Sequence, residues 1–282
     1  MESHPVLRYS AFTDDPAGGN PAGLVLDATG LDDAAMLSIA AEIGYSESAF
    51  LRRTAERAYD VRYFSPLAEV PFCGHATVAA AVALGERNGP GELRFTTRAG
   101  EVPVVVERRG DALRATLSSV EPYQEPVAEA DLAEALAALN WPPAALDPEL
   151  PPRIAFAGAR HLVVAVTSRA RLADLSYDFD RLAALMRRLD LTTLQLVWRE
   201  SPTVFHVRDP FPVGGVVEDP ATGAAAAALG GYLRALGTVP EAATLTLHQG
   251  HDLGRPSLLT VELRAGDPRV HVSGTAVAIT TA

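Results

Sequence analysis

Two alanine-rich stretches constrain this chain more than anything else in it. Residues 76–84 carry no charge on any face, and residues 221–233 are apolar all round apart from the first turn and Tyr232. A helix without a polar face must be enclosed on every side, which in a soluble protein means packing inside other elements. Alanine keeps such a helix thin, so that a sheet can wrap closely around it. Strand-like runs at 93–97, 102–107 and 113–117 follow the first stretch, and runs at 245–248, 258–263 and 270–277 follow the second. The expected architecture is two sheets, each curled around one central helix.

The chain also repeats itself loosely. Val61-Arg62-Tyr63-Phe64-Ser65-Pro66 leads to Ala76-Thr77 and the first apolar run, and Val207-Arg208-Asp209-Pro210-Phe211-Pro212 leads to Ala221-Thr222 and the second. Each unit reads as strand, proline-containing loop, then helix. At 282 residues the chain suits two domains. The halves are expected at 1–120, with a central helix at about 75–87, and at 121–282, with a central helix at about 222–236, the active site lying between them. Asp32 or Asp33 caps a helix that stops at Gly44, and residues 131–140 form a surface helix. Residues 142–152, with five prolines, read as the interdomain connection.

Composition removes several classes of function. All 24 basic residues are arginine. Without lysine there is no Schiff-base residue for pyridoxal phosphate and no Walker-type phosphate loop. A net charge of -11 argues against nucleic acid and anionic membrane as partners. No apolar stretch approaches the length of a spanning helix, and Met1-Glu2-Ser3-His4-Pro5 lacks the basic start of a signal peptide. The single Cys73 forbids an internal disulfide and fits a reducing, cytoplasmic setting. Neither a glycine-rich dinucleotide fingerprint nor a Gly-x-Ser-x-Gly elbow occurs.

The N-termini of the two enclosed helices are where chemistry is expected. A helix start offers free N–H groups and partial positive charge, and so binds carboxylate or phosphate. The first start is Phe72-Cys73-Gly74-His75-Ala76-Thr77 and the second Glu218-Asp219-Pro220-Ala221-Thr222-Gly223-Ala224; Gly74 and Gly223 would let a ligand approach the backbone. Three ionisable residues are placed to act there. Glu47 begins a short apolar strand, His75 is in the first turn of one helix, and Asp219 is just ahead of the other. Each has an ordinary structural reading beside the catalytic one: a solvated strand start, a satisfied histidine, a helix cap. Cys73, near a helix start, could be acidified and act as a base, but one thiol cannot serve a symmetric two-cysteine racemase. His248 and His251 are three apart around Gln249-Gly250, in a loop with no matching third ligand, so no metal site is expected.

At these residues the chain resembles the phenazine-biosynthesis isomerase-like (PhzF-like) family, which shares its fold with diaminopimelate epimerase. Asp15-Pro16 to Gly19-Asn20-Pro21-Ala22 is similar to the family's opening loop, and Ser46-Glu47-Ser48-Ala49-Phe50 to its Ser-Glu-Thr/Ser-Ala-Phe segment. The two helix starts resemble its two helix-start motifs, and Gln249-Gly250, Gly254-Arg255 and Val272-Ser273-Gly274 its C-terminal strands. The resemblance implies an α+β fold of two pseudo-symmetric diaminopimelate epimerase-like domains, each a barrel-like sheet around a central apolar helix, and usually a homodimer. It implies Glu47 as the acid/base with His75 and Asp219 beside it, and Asn20, Cys73, Gly74, Gly223 and Ala224 against the substrate. The chain departs from the family at Ala224, where a serine hydroxyl is common; here only backbone N–H groups remain to hold a carboxylate.

The expected function is therefore a cofactor-independent isomerase or epimerase in which Glu47 transfers a proton on a small carboxylate metabolite. The alternative, which Ala224 supports, is a relative that binds a small metabolite without catalysis; it would bind ligand with no solvent proton exchange.

Overall fold

Alternating burial along the strands and unbroken burial along two helices build the same pattern twice in the computed structural model. It describes residues 4–280, so Met1, Glu2 and Ser3 of the leader argument lie outside the described residues. The chain packs as two units: residues up to Ser118 with those from Ser273 onward, and Ser119–Val272.

The first unit contains β1 (Leu7–Ala11), β2 (Asn20–Val25), α1 (Asp33–Ile43), β3 (Glu47–Ala55), β4 (Ala58–Phe64), the short β5 (Glu69–Val70), α2 (Gly74–Asn88), β6 (Gly91–Thr97), β7 (Gly100–Arg109) and β8 (Ala112–Ser118). The pairs β1–β2, β3–β4, β6–β7 and β7–β8 are antiparallel, and β2–β3 and β4–β6 parallel. The chain's final strand, Val270–Ala278, pairs with both β8 and β1 and so closes an eight-stranded barrel. Helix α2 runs inside it, buried from His75 through Gly85 and packed on β1, β2, β3, β7 and β8. Its small residues are what the space requires: a Cβ at Gly85 would stand 2.8 Å from Val106 Cγ1. Helix α1 lies outside the barrel. Asp32 caps it by accepting from the Ala35 N–H, Gly44 ends it at φ 72°, and Met36 and Ala40 join the cluster of Val25, Phe50 and Phe64.

The second unit contains β9 (Tyr123–Pro126), α3 (Glu129–Leu139), β10 (Arg153–Phe156), β11 (Arg160–Val166), α4 (Arg169–Ala173), α5 (Phe179–Leu189), β12 (Thr193–Arg199), β13 (Val204–Pro210), the short β14 (Glu218–Asp219), α6 (Gly223–Ala235), β15 (Ala243–Gln249) and β16 (Ser257–Leu263). The sheet order is β9–β10–β11–β12–β13–β15–β16. Helix α6 packs on β9, β10, β11, β12 and β16, so both ends of the sheet bend around it. On the other face, Leu162, Val164, Leu194 and Leu196 pack with Leu136 and Leu139 of α3 and Leu182, Leu185 and Met186 of α5.

The two units share one wiring. In each, the pairings run antiparallel, parallel, antiparallel, then parallel and antiparallel again, with a two-residue strand just before the central helix. The matched arginines of the repeat have matched partners. Arg62 grips Glu69 of β5 at 2.7 Å through Nε, and Arg208 grips Glu218 of β14 at 3.0 Å through Nε.

Three expectations change. Thr222 does not match Thr77; it matches Cys73, since both are N-caps. The loop between strand and short strand is residues 65–68 in one half and 211–217 in the other, four against seven, which shifts everything after it. Residues 142–152 are not a connection between domains. They lie inside the second unit, where Leu146 bridges to Val166, Asp147 N–H donates to Ala165 O, and Trp141 and Leu150 are buried. The edge of β11 supplies hydrogen bonds to the residues between the prolines. Finally, residues from Ser273 onward complete the first unit's barrel, whereas a boundary at 121–282 left them with the second.

Candidate active site

In the first unit four of the expected residues converge at the start of α2. Glu47 opens β3 in phase with Ala49 and Leu51, both fully buried, so it faces the inside of the barrel; its side chain is 15 % exposed. Its Oε2 lies 3.6 Å from His75 Nε2. The other ring nitrogen, His75 Nδ1, is 3.1 Å from the Asn20 amide nitrogen and 3.4 Å from Cys73 Sγ. An amide N–H can only donate, so Nδ1 accepts and the ring proton sits on Nε2, toward Glu47. Burial pushes the His75 imidazole below its usual range, opposed by the Glu47 charge. His75 is thus a neutral ring at physiological pH.

Cys73, the N-cap residue of α2, makes no side-chain cap bond to the helix. Of the outer helices, α1, α4 and α5 are capped by Asp32, Ser168 and Asp178, while α3, with Ala128 at its N-cap, has no side-chain cap. The first-turn N–H groups of α2 thus receive no side-chain cap from Cys73, and the helix dipole stands behind them.

In the second unit Thr222 is the N-cap of α6 and likewise makes no side-chain cap bond. Its hydroxyl donates to Asp219 Oδ2 at 2.6 Å, and its N–H donates to Gln249 Oε1 at 3.0 Å. Gln249 Nε2 in turn donates to Asp219 O at 2.9 Å and to Asp209 Oδ2 at 3.1 Å. Asp219 thus holds the residue that begins the helix, and Gly223 and Ala224 form the first turn behind it.

Sequence motifs identified Asn20, Glu47, Cys73, Gly74 and His75 in one unit and Asp219, Gly223 and Ala224 in the other. They missed Gln249 as the brace of the second helix start, and Asp209 beside it. Gln249 reaches the helix from 27 residues away in sequence, and no local spacing records that. Thr222, three residues after Asp219, carried the one legible signal, an Asp-x-x-Thr turn.

Glu47, Cys73 and His75 present ligand atoms within 4.8 Å of one another. Carboxylate, thiolate and imidazole make a donor set that a soft or borderline cation accepts. Their close contacts serve equally well to pass a proton.

A family model for phenazine biosynthesis-like proteins (PhzC-PhzF) matches residues 9–282. The uncharacterized isomerase YddE of Escherichia coli (strain K12) is 34 % identical over 282 residues, covering 96 % of this chain and 95 % of that protein. Trans-2,3-dihydro-3-hydroxyanthranilate isomerase of Pseudomonas aeruginosa is 31 % identical over 281 residues, covering 98 % and 97 %. Among solved structures, a PhzF-family phenazine biosynthesis protein of Bacillus anthracis superposes with a TM-score of 0.89 at 26 % identity, covering 99 % of this chain and 98 % of that one. A probable proline racemase of Agrobacterium radiobacter superposes at 0.65 with 12 % identity over 96 % and 90 %, a likeness of fold alone.

Proposed function

This chain belongs to the phenazine biosynthesis-like (PhzC-PhzF) family and is an isomerase, and from that premise we propose that it moves a proton on a small carboxylate substrate without a cofactor, Glu47 carrying the proton. The observation behind this reading is the convergence of Glu47, His75 and Asn20 at an uncapped helix start.

Glu47, mostly shielded from water, takes a proton from a carbon next to the substrate carboxylate or its conjugated system and returns it to another carbon. General acid–base transfer of this kind contributes roughly 100- to 10,000-fold in rate. His75, neutral and with its N–H toward Glu47, orients that carboxylate and stabilises its charged form before the first transfer and after the second. Asn20 fixes the imidazole tautomer. The N–H groups at the start of α2 hold the substrate anion and the charge that develops on it.

The test is turnover in deuterated water of a panel of unsaturated and cyclic carboxylates, including trans-2,3-dihydro-3-hydroxyanthranilate, the substrate named for the Pseudomonas relative. A carboxylate should isomerise with deuterium taken up from solvent, while its methyl ester should not, and treatment with a strong chelator should leave the rate unchanged. Turnover of the ester at the rate of the acid, or activity lost on chelation while the protein stays folded and restored by a divalent metal, would overturn the proposal.

A further inference from the structure

Outside the candidate active site, one cluster of side chains has a composition that burial alone does not explain. His206 on β13 and His248 on β15 are register partners on the outer face of the second unit's sheet, with ring centroids 4.9 Å apart. His251, in the short turn after β15, brings a third ring to 5.4 Å from His248 and 6.3 Å from His206. The third ligand that the His248/His251 pair lacks in sequence is thus supplied by a strand 42 residues before His248 (248 minus 206).

The spacing suits a metal. Three imidazoles bound at about 2.0–2.1 Å around a tetrahedral ion have ring centroids about 5 Å apart. The nitrogens of His206 are differentiated in the way metal-bound histidines require. Nε2 lies 2.6 Å from Glu200 Oε2, and Nδ1 is buried with no partner among the described residues. A carboxylate holding one ring nitrogen leaves the other as a fixed, more basic donor. Arg169, whose charge reaches His251, is itself held by both oxygens of Asp252 at 2.9 Å. His206 and His248 stack and His251 stands edge-on to His248, so metal binding requires the side chains of His248 and His251 to turn.

We propose that His206, His248 and His251 form a binding site for a borderline divalent transition metal, Zn2+ foremost, with Glu200 orienting His206 and water completing the tetrahedron. His248 precedes Gln249, the brace of the α6 start, and a metal would tie the turn at residues 251–253 to β13 and β15.

The test is titration of metal-stripped full-length protein with Co2+ and with Zn2+, read by absorption and by melting temperature. One Co2+ should bind per chain with tetrahedral d–d bands and no thiolate charge-transfer band, and the same spectrum should appear in Cys73→Ser. Zn2+ at about 100 times its Kd should raise the melting temperature by about 5 °C or more. His248→Gln and His251→Gln should each weaken binding by about 100-fold or more, and Glu200→Gln by about 10- to 100-fold. His251 is exposed in a turn, so its variant tests the site without a core change. Binding that survives both histidine substitutions, binding abolished by Cys73→Ser, or no binding by the wild-type protein would overturn the proposal.

Discussion

Asp209 is a fully buried carboxyl group. The Gln249 amide donates to it at 3.1 Å, and the Gln195 amide, oriented to donate, lies 2.7 Å away. Burial first, then the nearby Asp219 and Glu218 charges, hold it well above the usual carboxylate range. A folded-state value above the unfolded one adds stability that is complete below about pH 3.8 and is lost as pH rises toward the folded value. Asp209→Asn should therefore match or exceed the wild type in urea denaturation at pH 8, and gain less or nothing at pH 5. A loss of more than about 2 kcal/mol at pH 8 would contradict an Asp209 held above the usual carboxylate range. His161 runs the other way. Burial lowers it to about 3, so the unfolded chain takes up its proton first as pH falls below 6.5. Stability should drop between about pH 6.5 and 3 at up to about 1.4 kcal/mol per pH unit, and His161→Gln should flatten that slope. At this scale the sequence disclosed the residues that stand in motifs, Glu47 and His75 among them. Asp209 and Gln249 stayed hidden because their meaning comes from strands that are adjacent only after folding.

Among the elements, the two enclosed helices and the strands after them were legible because burial on all sides leaves an unbroken apolar run. Helix α5 was passed over. Its polar face hides the run that α3 covers, and only the packing of Leu182, Leu185 and Met186 displays it. The repeated arginine–glutamate grip separates two regimes of ion pairing. Arg62 and Glu69 have side chains 25 % and 21 % exposed, and Arg208 and Glu218 only 9 % and 1 %. Arg208→Met leaves a buried carboxylate unpaired and should cost about 3–5 kcal/mol in urea denaturation, while Arg62→Met should cost about 1 kcal/mol or less. Equal costs would show that burial does not set the difference. Gly85→Val should destabilise by about 1–3 kcal/mol, because its side chain must displace Val106 and Leu113, 2.8 and 3.2 Å from the first added carbon.

Across the whole molecule, the same wiring occurs twice but the Glu47–His75 pair occurs once. Glu47 opens β3, and its counterpart opening β12 is Thr193. Counted from the N-caps Cys73 and Thr222, the counterpart of His75 is Ala224. A duplicated scaffold thus holds the Glu47–His75–Asn20 cluster in one unit and a braced helix start in the other. The doubling was visible in the matched Val-Arg pairs. The three-residue difference between the loops that follow was not, which is why Thr222 aligned with the wrong residue. The most direct test of the central claim is deuterium uptake from solvent during turnover, compared between the wild type and Glu47→Gln. The substitution keeps the shape and removes the base, so uptake should fall by about 100-fold or more with the fold unchanged. A Glu47→Gln protein that exchanges protons at near the wild-type rate would contradict it.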